Sequence, residues 1–342
     1  MRLYKKYILV ASLNILFNSL NCQINHPSND PNWVLIFNEN FNTLNRTIWN
    51  VIDDSRANVG FGEASFRDNN NNVQIQNGIL RLTANNQSYL GANYTGGMLR
   101  SIQTFNRNTF IESRIRLRTI PGSFPAFWLW RGNGGCQTND YNEIDIMEHF
   151  GCWSNHNQSG IHYCINGQRA NYPINVQTPH LQWTEANISN NQYHTYAAFW
   201  QRENIHFYID ESKTHIINNL RPNNTPIIQF PMPIILNQSI GNASCVPNGG
   251  FVAPNPNNFP ITLETDWVRV YQLNCDRNTV ITQIPNFNTF NWAVKRSYSL
   301  SNTTTVPTNF NVSLMARDFI DLNNGFEIPN NTNFSITTID CQ

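Results

Sequence analysis

The sequence predicts an all-β protein, a sandwich or a barrel, and three observations carry that reading. Short alternating or apolar runs recur from Trp33 to Cys275, Asn, Gly and Pro separate them, and good helical periodicity is scarce. In chain order, "GILRLTA" (78–84) and "FIESRIRLRTI" (110–120) alternate apolar with polar residues. "AFWLW" (126–130), "TYAAFW" (195–200), "IHFYID" (205–210) and "MPIILNQSI" (232–240) are richer in apolar residues. "DWVRVYQ" (266–272) closes the series. Many strands with turn residues between them indicate two packed sheets or one closed sheet, and roughly 240 residues suit a single large β unit.

The two ends read differently. Arg2, Lys5 and Lys6 precede a mostly apolar run from Tyr7 to Phe17. That run is too short to span a bilayer and reads as a secretory signal, residues 1–22. Cys22 offers the alternative of a lipid anchor, although Asn21 before it is larger than such sites prefer. No later stretch is apolar and long enough to be a transmembrane segment. After Cys275 the segments become very short: "NVSLMA", "FIDL", "GFEI" and "FSITTI", with Asn-rich turns between them. Residues 275–342 therefore read as a small second β module after a main domain over 23–274. A module of that size has little core, and a Cys275–Cys341 bridge would help to close it.

Charged residues make up 13% of the 342, and Lys+Arg and Asp+Glu balance at 22 each. An average soluble protein carries roughly 25%. No global field recruits nucleic acid or an anionic membrane. Aromatics reach 12%, and Asn is abundant. Flat rings and neutral amides suit a hydroxyl-covered ligand such as a sugar, and equally a β-rich core with polar loops. Six Cys follow Cys22, an even number in an exported chain, with no CxxC pair. Two of Cys136, Cys152 and Cys164 are expected to pair near the acidic run described next.

"YNEIDIMEHFG" (141–151) puts three acids into a run that otherwise reads as a buried strand. Glu143 and Asp145 share a face by period-2 alternation, whereas Glu148 has the wrong parity. A β-bulge between Asp145 and Glu148 resets the alternation, with Met147 the natural bulge residue. All three acids and Tyr141 then face one side, and Ile144 and Ile146 face the core. Four strand steps put the Glu143 and Glu148 Cα atoms roughly 13 Å apart at ~3.3 Å per residue. Inward-leaning side chains bring the carboxyls within about 5–7 Å, which favours the spacing of about 5–5.5 Å in retaining glycosidases and overlaps the about 6.5–9.5 Å of inverting ones. With 22 acids in the chain, such a pattern arises by chance roughly 0.1 times. The apolar flanks are unlike a solvated face.

Glu-Ile-Asp-Ile-Met-Glu, 143–148, resembles the bulged E-x-D-x-x-E signature of glycoside hydrolase family 16, in the form typical of laminarinases, agarases and carrageenases. "FNENF" (37–41), "YTGGMLRS" (94–101), "GSFPAFWLW" (122–130), "YHTYAAFWQRENIHFYID" (193–210) and "DWVRVYQ" are similar to family segments in the same order. The likeness covers about residues 33–273. It implies a β-jelly roll (concanavalin A-like) whose concave sheet holds the substrate, Glu143 as nucleophile, Glu148 as acid/base and Asp145 as helper. The family often has Trp-Pro-Ala-Phe-Trp where this chain has Phe124 first. The tail is similar to the three-coathanger-stack modules that end many exported bacterial proteins.

Trp128, Trp130, Tyr141 and the loop residue Trp153 are candidate substrate-binding residues, because sugar rings stack on indoles and phenols; His162, in "GIHY", is another, because it matches a position that in similar enzymes lies near the acid/base. Many family members hold a structural calcium, and Glu39 and Asp266 stand at the matching positions. No catalytic cofactor is implied. The reading is a secreted or cell-surface, monomeric, retaining endo-β-glycosidase acting on a polysaccharide. The substrate expected first is a β-1,3-glucan of laminarin type, the next an agar-, porphyran- or carrageenan-type galactan. A non-catalytic sugar-binding jelly roll is the remaining class, and it predicts a damaged acid motif.

Overall fold

A computed structural model describes residues 26–29, 33–54, 63–118, 120–132, 136, 141–152, 156–165, 167–171, 182–184, 191–221, 223–241, 252–274, 278–281, 294–300, 311–323, 327–328, 330 and 333–338. The leader, Trp153 and the Cys275–Cys341 pair lie outside these residues. Among them no helix is long and apolar enough to cross a membrane.

The described residues fold mainly as strands, with short 3-10 turns at Pro27–Asn29 and Pro256–Asn258. The first third forms β1 (Trp33–Glu39), β2 (Trp49–Val51), β3 (Ala64–Phe66), β4 (Val73–Gln76), β5 (Ile79–Ala84), β6 (Tyr94–Phe105) and β7 (Thr109–Arg116). Next come β8 (Ser123–Arg131), β9 (Asn142–Glu148), β10 (His156–Ile165), β11 (Gln168–Asn171), β12 (Gln182–Thr184), β13 (Tyr193–Trp200), β14 (Asn204–Ile209) and β15 (Ser212–Asn218). The last are β16 (Met232–Ile240), β17 (Ile261–Leu273), β18 (Asn278–Ile281), β19 (Val294–Leu300), β20 (Asn311–Leu322) and β21 (Asn333–Thr338).

Two sheets stack on one core. The acid-bearing sheet has the order β11-β10-β9-β8-β16-β6-β2, with β12 on β10 and β3 on β6. The back sheet runs β15-β14-β13-β7-β17-β5-β4, with β1 on β17. Phe127, Leu129, Ile144, Ile234 and Leu236 from the first meet Ile111, Ala198, Phe207, Leu82 and Val270 from the second in one buried cluster. Each such side chain contributes about 1.5–3 kcal/mol by leaving water, and Phe127→Ala would cost about 3–5 kcal/mol. All nine residues of "MPIILNQSI" are buried, in a strand that lies between β8 and β6 near the middle of its sheet.

The acidic strand is fixed at its C-terminal end. Its following residues turn back on β8, with His149 N–H donating to Pro125 O at 3.1 Å and Gly151 N–H to Ser123 O at 3.0 Å. A Cβ on Gly151 would sit 1.8 Å from Ile120 O, so only glycine allows this approach.

The tail differs from the expectation of very short segments. "NVSLMA" and "FIDL" run together as β20, because a register shift against β19 takes up Arg317 and Asp318 without a turn. The four strands β18-β19-β20-β21 form one sheet with parallel pairing throughout. Of "GFEI", Glu327 and Ile328 are described, and they lie outside any named strand.

Candidate active site

The bulge sits where parity requires it. On β8, Ala126 faces Glu148, Phe127 faces Met147 and Trp128 faces Asp145, which leaves Ile146 without a partner. On β10, Gln158 faces Glu148 and Gly160 faces Asp145, so Ser159 alone spans Ile146 and Met147. The extra residue against β8 is therefore Ile146, not Met147. Two consecutive side chains, Ile146 and Met147, enter the core beside Ile144. Glu143, Asp145 and Glu148 are left on the other face.

That face carries a graded environment. Asp145 is the deepest acid at 2% exposure, Glu143 follows at 8%, and Glu148 is half-buried. Tyr141 is buried, and its hydroxyl donates to Glu143 Oε2. His162 lies opposite Glu143 on β10, and its Nε2 is 3.0 Å from Asp145 Oδ2. A carboxylate beside another carboxylate is repelled; the Tyr141 donor on Glu143 and the His162 ring beside Asp145 offset that repulsion. Gln158 Nε2 donates to Glu148 Oε2 at 3.1 Å. Glu143, Asp145 and His162 each place one ligand-type atom within 4.8 Å of the others, which makes them one polar cluster rather than three separate groups. A Cβ on Gly160 would meet nothing within 4 Å, so the space beside Asp145 stays open.

Aromatic residues flank the acids. Trp128 is in register with Asp145, and Trp130 with Glu143, so both indoles stand on the acid face. Trp128 is half-buried and held by Nε1–H donation to Asn237 Oδ1 at 2.8 Å. Trp130 packs more deeply, with Tyr141, Cys164 and Ile235. Cys136 and Cys164 are bridged, as expected for a pair near the motif, and this ties the loop before β9 to β10. Cys152 is disulfide-bonded as well. Phe124 stacks on Phe150 with ring centroids 5.0 Å apart.

Sequence reasoning missed three neighbours of these groups. Gln158 and Asn237 hold Glu148 and Trp128, and Arg100 lies over the Trp130 ring at 5.7 Å. For Asn237 the signal was present, as a buried polar residue inside an apolar run.

The expected calcium ligands do not fit such a site. Glu39 accepts from Phe41 N–H at 2.7 Å through Oε1 and from Trp49 Nε1–H at 3.1 Å through Oε2. Asp266 is paired with Arg114. Glu39 is thus committed to a turn and a core indole, and Asp266 to a guanidinium. Neither belongs to a cluster of three His, Cys, Asp or Glu among the described residues.

Two stacked antiparallel sheets, with a bulged acidic strand between aromatic and amide-bearing neighbours, define a jelly-roll glycoside hydrolase domain. The chain belongs to glycoside hydrolase family 16: the family model described as beta-porphyranase A-D, GH16 domain, matches residues 34–273. Glucan endo-1,3-beta-glucosidase A1 of Niallia circulans is 28% identical over 274 residues, 70% of this chain and 38% of that protein. Beta-glucanase of Rhodothermus marinus is 26% identical over 260 residues, 71% of this chain and 86% of that protein. The chain thus spans well under half of the first relative and most of the second. The solved beta-glucanase of Bacillus licheniformis superposes with a TM-score of 0.54 at 26% identity, covering 69% of this chain and 97% of that one.

Proposed function

We propose that the chain is a retaining endo-β-glycosidase, with Glu143 as nucleophile, Glu148 as acid/base and Asp145 as the helper between them. One observation carries the reading: the bulge at Ile146 turns Glu148 onto the face of Glu143, at a strand spacing of roughly 13 Å between Cα atoms. Glu143 attacks the anomeric carbon while Glu148 protonates the leaving oxygen. The glycosyl ester on Glu143 then yields to water, whose proton Glu148 takes. The Tyr141 hydroxyl orients the nucleophile. Trp128 and Trp130 offer faces for the sugar C–H surface. Trp153, of the loop after the acidic strand, is proposed as a further substrate contact.

The substrate proposed first is a β-1,3-glucan of laminarin type, supported by the glucan-cleaving relatives. A galactan of the agar, porphyran or carrageenan type is the second reading, and two observations bear on it. The matched family model is described as a porphyranase, and Arg100 brings a guanidinium over Trp130 on the acid-bearing sheet. Export through residues 1–22, a monomeric state and a separate module over 275–342 complete the proposal.

The test is release of reducing ends from laminarin, mixed-linkage glucan, agarose, porphyran and carrageenan, by wild type and Glu143→Gln. Cleavage of one polymer, abolished in the variant, is the expected result. Equal cleavage by the variant would overturn the assignment of Glu143.

A further inference from the structure

Ser-Arg-Ile-Arg-Leu-Arg, 113–118, alternates along β7 and the two residues after it. Ile115 and Leu117 enter the core, so Arg114, Arg116 and Arg118 stand on the outer face of the back sheet. Arg81 of β5, Glu264 of β17 and Arg116 form one row across that sheet, because Glu264 is in register with both arginines. Glu264 takes Arg81 at 2.9 Å and Arg116 Nε at 2.6 Å. One carboxylate cannot neutralise two guanidiniums. Arg118 adds a third and is exposed, with no ion pair to a described residue. The row lines a cavity of about 400 Å³, whose other walls include Asn191, Asn257, Asn258 and Phe259. The Phe259 ring is held flat on Tyr94, with centroids 5.6 Å apart and planes 11° from parallel.

Arginines on a sheet face are ordinarily a solvated surface, with ion pairs worth little. Here they share a concave site with three neutral amides and a clamped aromatic wall, and three guanidiniums face one carboxylate. We propose that this cavity is a second polysaccharide-binding site, for a chain bearing sulfate or carboxylate groups. A guanidinium fork matches either anion. The amides would read hydroxyls, and the phenyl ring would take a sugar C–H face. The site is on the sheet opposite the acids, so a chain held here is anchored rather than cut. The inference stands whichever polymer the acid face hydrolyses.

The test compares Arg118→Ala and Arg118→Lys, each in the Glu143→Gln background, by retardation in gels containing a sulfated galactan, its desulfated form, a polyuronate or laminarin. Hydrolysis of a short oligosaccharide is followed in parallel with Glu143 intact. Arg118→Ala is expected to weaken retention by one of the anionic polymers about three- to tenfold. Arg118→Lys should recover part of it, and added salt should remove the difference. Laminarin retention and oligosaccharide hydrolysis should not change. The polymer that shows the difference identifies sulfate or carboxylate as the ligand. Unchanged retention by every polymer would overturn the proposal, and so would an equal loss on laminarin.

Discussion

Stability between pH 6.5 and 4 should be governed by two histidines of the back sheet. Burial pushes His206 of β14 down to about 4, with the charge of Lys213 adding to it. Burial likewise pushes His215 of β15 down to about 4. The His215 ring lies on Phe207 with centroids 4.7 Å apart, and His206 meets the Phe199 ring edge-on. Above the ordinary histidine pKa of about 6.5 both are neutral, folded or unfolded. Below it the unfolded chain binds protons that the folded chain refuses, so stability falls with pH until the folded groups titrate. At about 1.36 kcal/mol per pKa unit, each histidine costs up to about 3 kcal/mol by pH 4. Partial exposure makes a combined loss of about 3 kcal/mol the better expectation. His26 has the opposite sign. Burial alone would lower it, but Glu112 at 2.8 Å raises it. Its contribution is complete below about 6.5 and is lost as pH rises through its folded value. Maximum stability near pH 6.5 follows. Urea midpoints measured from pH 4.5 to 7.5 test this, with His215→Phe as the perturbation, since a phenyl ring keeps the stack on Phe207. The slope of unfolding free energy against pH should fall by about half below 6.5. An unchanged slope would refute the reasoning.

The remaining expectations concern the site and its supports. Glu148→Gln should lower kcat/KM on polysaccharide by about 10²–10⁴-fold, and much less on an aryl glycoside whose leaving group needs no proton. Equal losses on both substrates would remove Glu148 from the acid role. Opening the Cys136–Cys164 bridge, with a sequence separation of 28, should cost about 3–4 kcal/mol by loop entropy and lower the melting temperature. Because the bridge packs beside Trp130 and Tyr141, activity should fall before the fold is lost. A chelator should leave the melting temperature unchanged, since Glu39 and Asp266 are committed to protein partners; a drop of several degrees reversed by calcium would contradict that.

The central strands were legible because their sequences state both spacing and burial. "MPIILNQSI" coincides with β16, and "TYAAFW" and "IHFYID" fall in β13 and β14. Strands whose stability comes from context were not legible. β10 reads "HNQSGIHYCI", too polar for a core strand by pattern, and it is held by pairing with the acidic strand. Gly96 and Gly97 look like a turn but lie inside β6, where a Cβ on Gly97 would come 2.2 Å from Asn72 O. The parallel direction of the tail strands left no mark, because alternation does not encode direction. The acid face was legible in its three carboxylates and two indoles. Of their holders, Asn237 left a trace as a polar residue inside the apolar run of β16, whereas Gln158 left none, since an amide in an Asn-rich chain carries little information. The partners of Glu39 and Asp266 were hidden for a related reason: a carboxylate at a given position says nothing of the backbone donor or guanidinium beside it.

The bulge explains why so short a motif fixes the spacing of the acids. In an unbulged strand Glu148 would point between the sheets, where an unpaired carboxylate is expensive, and Met147 would stand on the outer face with Glu143 and Asp145. The apolar residues of Ile-Asp-Ile-Met-Glu exclude that register. Ile144, Ile146 and Met147 are all buried in the main core, and at about 1.5–3 kcal/mol each they hold the strand where two adjacent side chains turn inward. Ser159 reinforces the irregularity from β10, with its hydroxyl donating to Ile146 O at 2.9 Å. The separation of Glu143 from Glu148 is thus set by the packing beneath them. The loops and aromatic neighbours of the acid face can change while that packing keeps Glu143 and Glu148 on one side of the sheet.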